Sequence, residues 1–233
     1  MDNSNSNTLI RHLDSVKAVL FDGDGTLWRG SVSKGIGINY LMRAAIRLDV
    51  DAFKSLVAGA RSISKNISDN KDPECLAKSL EELYHILVDN NLGAKEEMMA
   101  FSSAYLSKHM IPDMKYLLNA LSHDRPLFLI TISGSTSAAA ARKVLPLTDS
   151  ASNQDIFDSS GRLLGVNLTI KNGEDKLVKA SSLLEKYGLR LRECAAFGDG
   201  AVDLPMLKAV KISVASKYAS DLIKGETDFV MAD

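Results

Sequence analysis

Two aspartates, Asp22 and Asp24, stand one residue apart in Phe21-Asp22-Gly23-Asp24-Gly25-Thr26-Leu27. An apolar run from Val16 to Leu20, broken only by Lys17, precedes them and reads as a buried strand. The pair therefore falls where a strand ends and a glycine-rich turn begins, the edge of an open α/β sheet at which ligands bind. Carboxylates gathered there lose hydration and repel each other, so they require a cation or a shared proton. Two acids in different protonation states can also divide nucleophilic and acid–base work between them.

Three more features end where sheet strands should end or helices begin. Ser133-Gly134 closes a second apolar run, Leu127 to Ile132, with Thr131 as a rival to Ser133. Lys176 lies near the start of a strong helical pattern, Glu174 to Tyr187, where Lys171 and Lys179 compete with it. Gly198-Asp199-Gly200 follows a short strand pattern, Cys194 to Phe197, and Asp203 lies one helical turn further on. Plainer roles exist: Ser133 or Ser135 as a helix N-cap, Asp203 as a helix-start acid. An EF-hand loop is excluded because its later ligand positions are missing.

The elements that must hold these residues can be read from periodicity. Ile38, Leu41, Met42 and Ala45 share one helical face, and Phe53, Leu56, Val57 and Ala60 another, with Asp51 as N-cap. Asp72-Pro73-Glu74 starts a helix whose stripe is Leu76, Leu80, Leu83 and Leu87, ended by Gly93. Met98, Phe101 and Tyr105 mark a fourth helix, so the chain from about Gly30 to about Ile111 reads as helices only. Pro112 to Leu121 and Ala138 to Leu145 are further helices. A hairpin is expected around Asp158-Ser159-Ser160-Gly161, and late strands at Val210 to Val214 and Phe229 to Met231 flank a helix, Ala219 to Lys224. Strands alternating with helices predict an α/β fold with a parallel sheet covered on both faces.

Composition bounds the rest. The 233 residues are 45% apolar and 24% charged, with net charge −1, enough for a sizeable core. No basic block points to nucleic acid, and no apolar run reaches membrane-spanning length. Cys75 and Cys194 are too few for a disulfide framework or a zinc site and read as reduced thiols, which predicts a cytosolic, cytoplasmic protein. Residues 1–14 read as a disordered leader.

Taken together, Asp22 to Thr26, Ser133, Lys176, and Gly198-Asp199 with Asp203 resemble the four motifs of the haloacid dehalogenase superfamily, in its phosphatase branch. Ser133-Gly134, the hairpin segment Ser160 to Gly165 and the run Gly198 to Leu207 resemble phosphoserine phosphatases in particular. The resemblance implies a parallel Rossmann-like sheet core from residues 15–29 and 112–233, with residues 30–111 as an inserted all-helical cap domain. It implies a Mg²⁺-dependent phosphatase acting on a small phosphorylated metabolite through an aspartyl-phosphate. Asp22 would be the nucleophile and Asp24 the acid/base. Asp22, the carbonyl of Asp24 and Asp199 would be metal ligands, with Asp203 an outer ligand or a holder of bound water. Ser133, Gly134 and Lys176 would bind the phosphoryl group. A phosphotransferase, or a non-catalytic module on the same fold, would share these motifs. Three positions depart from the phosphoserine pattern: no acid follows Leu27 in Trp28-Arg29-Gly30-Ser31, Ser135 replaces a Gly, and Val202 replaces an Asn. Trp28 and Arg29 are expected to pack the link to the cap, and Arg29, Arg43 or Arg61 could face an anionic substrate.

Overall fold

The computed structural model describes Leu9 and residues 11–69 and 74–231, the side chains of 65–69 excepted. Among these, strands β1 (Ala18–Phe21), β2 (Leu127–Gly134), β3 (Asp149–Phe157), β4 (Leu163–Asn167), β5 (Cys194–Gly198), β6 (Ile212–Ala215) and β7 (Phe229–Val230) form one sheet in the order β4-β3-β2-β1-β5-β6-β7. All neighbours pair in parallel except β3 and β4, the expected hairpin. The chain builds outward from β1 on one side, then crosses back to build on the other. That reversal opens a crevice at the carboxyl ends of β1, β2 and β5.

Side chains of β1 alternate across the sheet, and each face has its own core. Val19 and Phe21 join α5 (Pro112–Leu121) and α6 (Ser135–Val144) through Leu117, Leu118, Leu121, Ala138 and Ala141. Ala18 and Leu20 join α7 (Gly173–Glu185), α8 (Leu204–Ala209) and α9 (Asp221–Gly225) through Ala180, Leu183, Leu184, Met206 and Ile223. Both faces of β1 are thus covered, which is why its sequence is continuously apolar rather than alternating. The sheet and its helices are the α/β architecture expected.

Between β1 and β2 run α1 (Val32–Ile46), α2 (Val50–Asp69), α3 (Cys75–Asp89) and α4 (Lys95–His109), the helical cap. The two strands of chain that lead into and out of it are tied together: Arg29 N–H donates to His109 O at 2.9 Å and Ile111 N–H to Leu27 O at 3.0 Å. The cap shares a continuous core with the sheet, since Val32, Ile36, Leu83, Leu87, Met98 and Leu106 belong to the same cluster as Val19 and Phe21.

Several local expectations differ. The buried face of α1 is Val32, Ile36, Tyr40 and Ala44, whereas Ile38 and Met42 are exposed. On α2 the N-terminal side-chain bond comes from Asp49, which accepts from Ala52 N–H at 3.1 Å, rather than from Asp51. Leu80, Leu83 and Leu87 are buried on α3 but Leu76 is exposed, and the Asp72-Pro73 part of its predicted start lies outside the described residues. Of the leader expected over residues 1–14, 1–8 lie outside the described residues. Residues 11–13 form a helical turn with Leu13 fully buried, because Arg125 donates to its carbonyl and the core encloses its side chain. No helix among the described residues is long and apolar enough to cross a membrane.

Candidate active site

Asp22 follows β1 directly, and its N–H donates to Phe197 O at 2.9 Å, so the first carboxylate is pinned to the neighbouring strand β5. Asp199 follows β5, and the 3₁₀ turn Ala201–Asp203 brings Asp203 back beneath it. Asp203 accepts from Asp199 N–H at 2.9 Å and Gly200 N–H at 3.0 Å. Lys176 reaches in from the first turns of α7, whose start is fixed by Asn172 accepting from Asp175 N–H at 3.0 Å. Its Nζ bonds both Asp22 Oδ1 and, at 2.5 Å, Asp203 Oδ1, with only 1% of the lysine exposed. Lys171 and Lys179 take no part in this contact; Lys176 alone of the three is buried.

Oxygens of Asp22, Asp199 and Asp203 all lie within 4.8 Å of one another. Three carboxylates thus face one lysine, and the proton affinities of Asp22 and Asp199 record the surplus. Burial, then the Asp203 charge, raise Asp22 well above the ordinary carboxylate range against the pull of Lys176. The same two causes raise Asp199 to about 7. Burial disfavours the Lys176 ammonium, but Asp203 and Asp22 outweigh it, and its pKa rises. Such a pocket suits a hard divalent cation with oxygen ligands. Gly25 lets this close approach happen: its φ is +85°, and a Cβ there would strike the Asp199 carboxylate.

Asp24 occupies a separate setting. Trp28 Nε1 donates to its Oδ1 at 2.6 Å, and Val32 N–H, at the start of α1, donates at 3.3 Å. Burial raises its pKa, while the Trp28, Ser31 and Val32 hydrogen bonds work the other way. Trp28 is 1% exposed and packs the link to the cap, as expected, and in addition holds an acid in place.

Ser133 and Thr131 both line the cleft above Asp22, and Thr131 Oγ1 accepts from Ser133 N–H at 3.1 Å. Gly134 does not line the cleft. It lies beneath the Tyr84 hydroxyl and the Asp155 carboxylate, with no room for a Cβ. Neither Ser133 nor Ser135 caps α6 with its side chain. Asp155 does so from β3, accepting from Thr136 N–H at 2.7 Å, while Ser135 Oγ accepts from Asp155 N–H at 3.0 Å. Asp155 also accepts from Tyr84 Oη of the cap at 2.8 Å. Asn153, fully buried, donates to Ile132 O and Ile170 O and accepts from the N–H groups of Thr169 and Ile170. It thereby ties the end of β2 to the segment that leads to Lys176. Asp155 and Asn153 carry no sequence signal of their own, since their partners lie elsewhere in the chain.

Residues 135–233 match the family of haloacid dehalogenase-like hydrolases, a stretch that holds Lys176, Asp199 and Asp203 but not Asp22 or Asp24. No curated protein matches the chain in sequence. Among solved structures, a phosphoserine phosphatase in the form of a phospho-aspartyl intermediate analogue is similar over 94% of each chain, with TM-score 0.68 and 19% identity. A HAD family hydrolase from Salmonella enterica subsp. enterica serovar Typhi matches 99% of this chain and 77% of its own, with TM-score 0.71 and 15% identity. A protein of unknown function from Bordetella pertussis Tohama I matches 93% of this chain and 99% of its own, with TM-score 0.73 and 15% identity. Over its carboxyl-terminal part the chain is thus similar in sequence to haloacid dehalogenase-like hydrolases, and over nearly its whole length its fold is similar to that of a phosphoserine phosphatase.

Proposed function

We propose that the chain is a Mg²⁺-dependent phosphatase that hydrolyses a small phosphorylated metabolite through an aspartyl-phosphate on Asp22, with residues 30–111 as its lid. The observation that carries this reading is the contrast between the two first-motif acids. Asp22 sits among a lysine and two further carboxylates, whereas Asp24, two residues on, is buried apart and held by an indole N–H. Similarity to a phosphoserine phosphatase captured as a phospho-aspartyl analogue supports the same assignment.

The donor set fits a divalent cation, because three clustered carboxylates exceed the charge that Lys176 can balance. Asp22 and Asp199, with the Asp24 carbonyl, would hold it, and Asp203 would stand behind them through the Asp199 and Gly200 amides. Bound Mg²⁺ would neutralise the phosphoryl oxygens and let a dianion approach Asp22. Asp22 then attacks phosphorus as its carboxylate, and Asp24 gives its proton to the leaving oxygen. Asp24, now ionised, takes a proton from the water that releases phosphate and restores Asp22. Lys176 and Ser133 steady the charge on the transferring group. The two cysteines, Cys75 and Cys194, are both buried, which supports a cytosolic setting.

The test is turnover of p-nitrophenyl phosphate with Mg²⁺ and with a chelator. Hydrolysis that needs the metal and vanishes in Asp22→Asn, with the melting transition retained, is the expected result. Undiminished activity in Asp22→Asn would place the nucleophile elsewhere.

A further inference from the structure

The cleft above Asp22 encloses about 740 Å³, a volume suited to a small-molecule ligand. Its two sides differ in kind. The sheet side carries the carboxylates, Lys176 and Ser133, while the cap side presents Ile38, Leu41, Leu56, Ile63, Leu76 and Leu80 from α1, α2 and α3. Among the described residues, Lys34 is the one charged cap side chain on the wall. The arginines that could have faced an anion do not line it. Arg43 pairs with Glu97 at 2.9 Å, Arg29 lies over the Tyr218 ring, and Arg61 is exposed. Among the described residues the cap wall offers no carboxylate for the ammonium of an amino acid leaving group and only Lys34 for its carboxylate, which makes such a group costly to bury there.

The apolar surface also continues outward. Ile38, Met42 and Ile46, four residues apart along α1, are 58%, 60% and 78% exposed.

We infer that the substrate is the phosphate monoester of an apolar alcohol, not a phosphoamino acid; this rests on the phosphatase reading above. The alkyl or aryl part fills the cap side, and the phosphate lies between Asp22 and Lys176.

The purified full chain with Mg²⁺ is assayed on methyl, butyl, hexyl and octyl phosphate and on phosphoserine. The expected kcat/KM rises roughly two- to fourfold per methylene until the cleft is filled. Phosphoserine should fall about tenfold or more below hexyl phosphate. A series flat in chain length, or a preference for phosphoserine, would overturn the inference and leave the phosphatase reading standing. Turnover of none of these esters would overturn the phosphatase reading. Calorimetry with methyl-, butyl- and hexylphosphonate then still decides the character of the cleft, because affinity independent of chain length contradicts it. Ile38→Lys, at a solvent-reaching position, should lower hexyl phosphate turnover about fivefold and spare methyl phosphate. Equal loss on both esters would count against the apolar wall.

Discussion

Asp24 is an acid whose proton affinity burial raises and a tryptophan opposes. The Trp28 indole N–H bonds one carboxylate oxygen and favours the ionised form, in opposition to burial. Removing that donor raises the Asp24 pKa further, so Asp24 stays protonated to higher pH. Trp28→Phe should therefore move the basic limb of the kcat profile upward, although the smaller ring leaves part of the buried site empty. A profile that does not move would remove Trp28 from control of the acid. Stability should fall by about 2–4 kcal/mol, from one lost hydrogen bond and the cavity left by the smaller ring. The charged members of the site, Asp22, Asp24, Lys176, Asp199 and Asp203, were visible in sequence because each stands where a strand ends or a helix begins. Trp28 was visible only as an apolar packing residue, because the aim of an indole N–H depends on the turn at Gly23 and Gly25. Asn153 and Asp155 were not visible, since each works through backbone groups 16 to 21 residues away.

At the scale of elements, cap and core are latched by contacts that cross between them. Tyr84 on α3 donates to Asp155 on β3, which in turn caps α6 beside Ser133 and Gly134. Ser102 on α4 meets Ser137 on α6 at 3.2 Å. Tyr84→Phe keeps the ring and deletes the first latch. It should cost about 1 kcal/mol in a urea melt, and a loss near zero would show that the hydroxyl finds equal company in water. Helix positions were legible from periodicity and from Pro112 at a helix start, and strand positions from short apolar runs. The buried faces of the cap helices were less so. Ile38 and Met42 share a helical stripe, yet α1 turns Val32, Ile36, Tyr40 and Ala44 inward and leaves that stripe to the cleft and solvent. A helix that borders a ligand cleft has two apolar faces, and sequence alone does not say which one meets the core. Asp149 to Asn153 carries no strand pattern in sequence because it is mostly polar and is held by its parallel pairing with β2.

For the whole molecule, the clustered acids make stability depend on pH and metal. Asp199 titrates at about 7 in the folded chain, against an ordinary value of 3.8, and Asp22 is shifted in the same direction. Between these values the folded state holds protons that the unfolded chain has released, so stability falls as pH rises from about 4 to about 7. Chelated protein should melt at lower temperature at pH 8 than at pH 5, by about 2–4 °C for each kcal/mol lost. Mg²⁺ should raise the melting temperature more at pH 8 than at pH 5, as scanning calorimetry would record; an equal rise at both would separate the metal from these carboxylates. The account as a whole depends on covalent transfer to Asp22. Its most direct test is to quench turnover of a ³²P-labelled aryl phosphate in acid and map the labelled peptide. The account predicts an acid-stable, hydroxylamine-labile phosphoryl group on Asp22, absent in Asp22→Asn. Label on Ser133, or turnover with no protein-bound phosphate at any time, would contradict it.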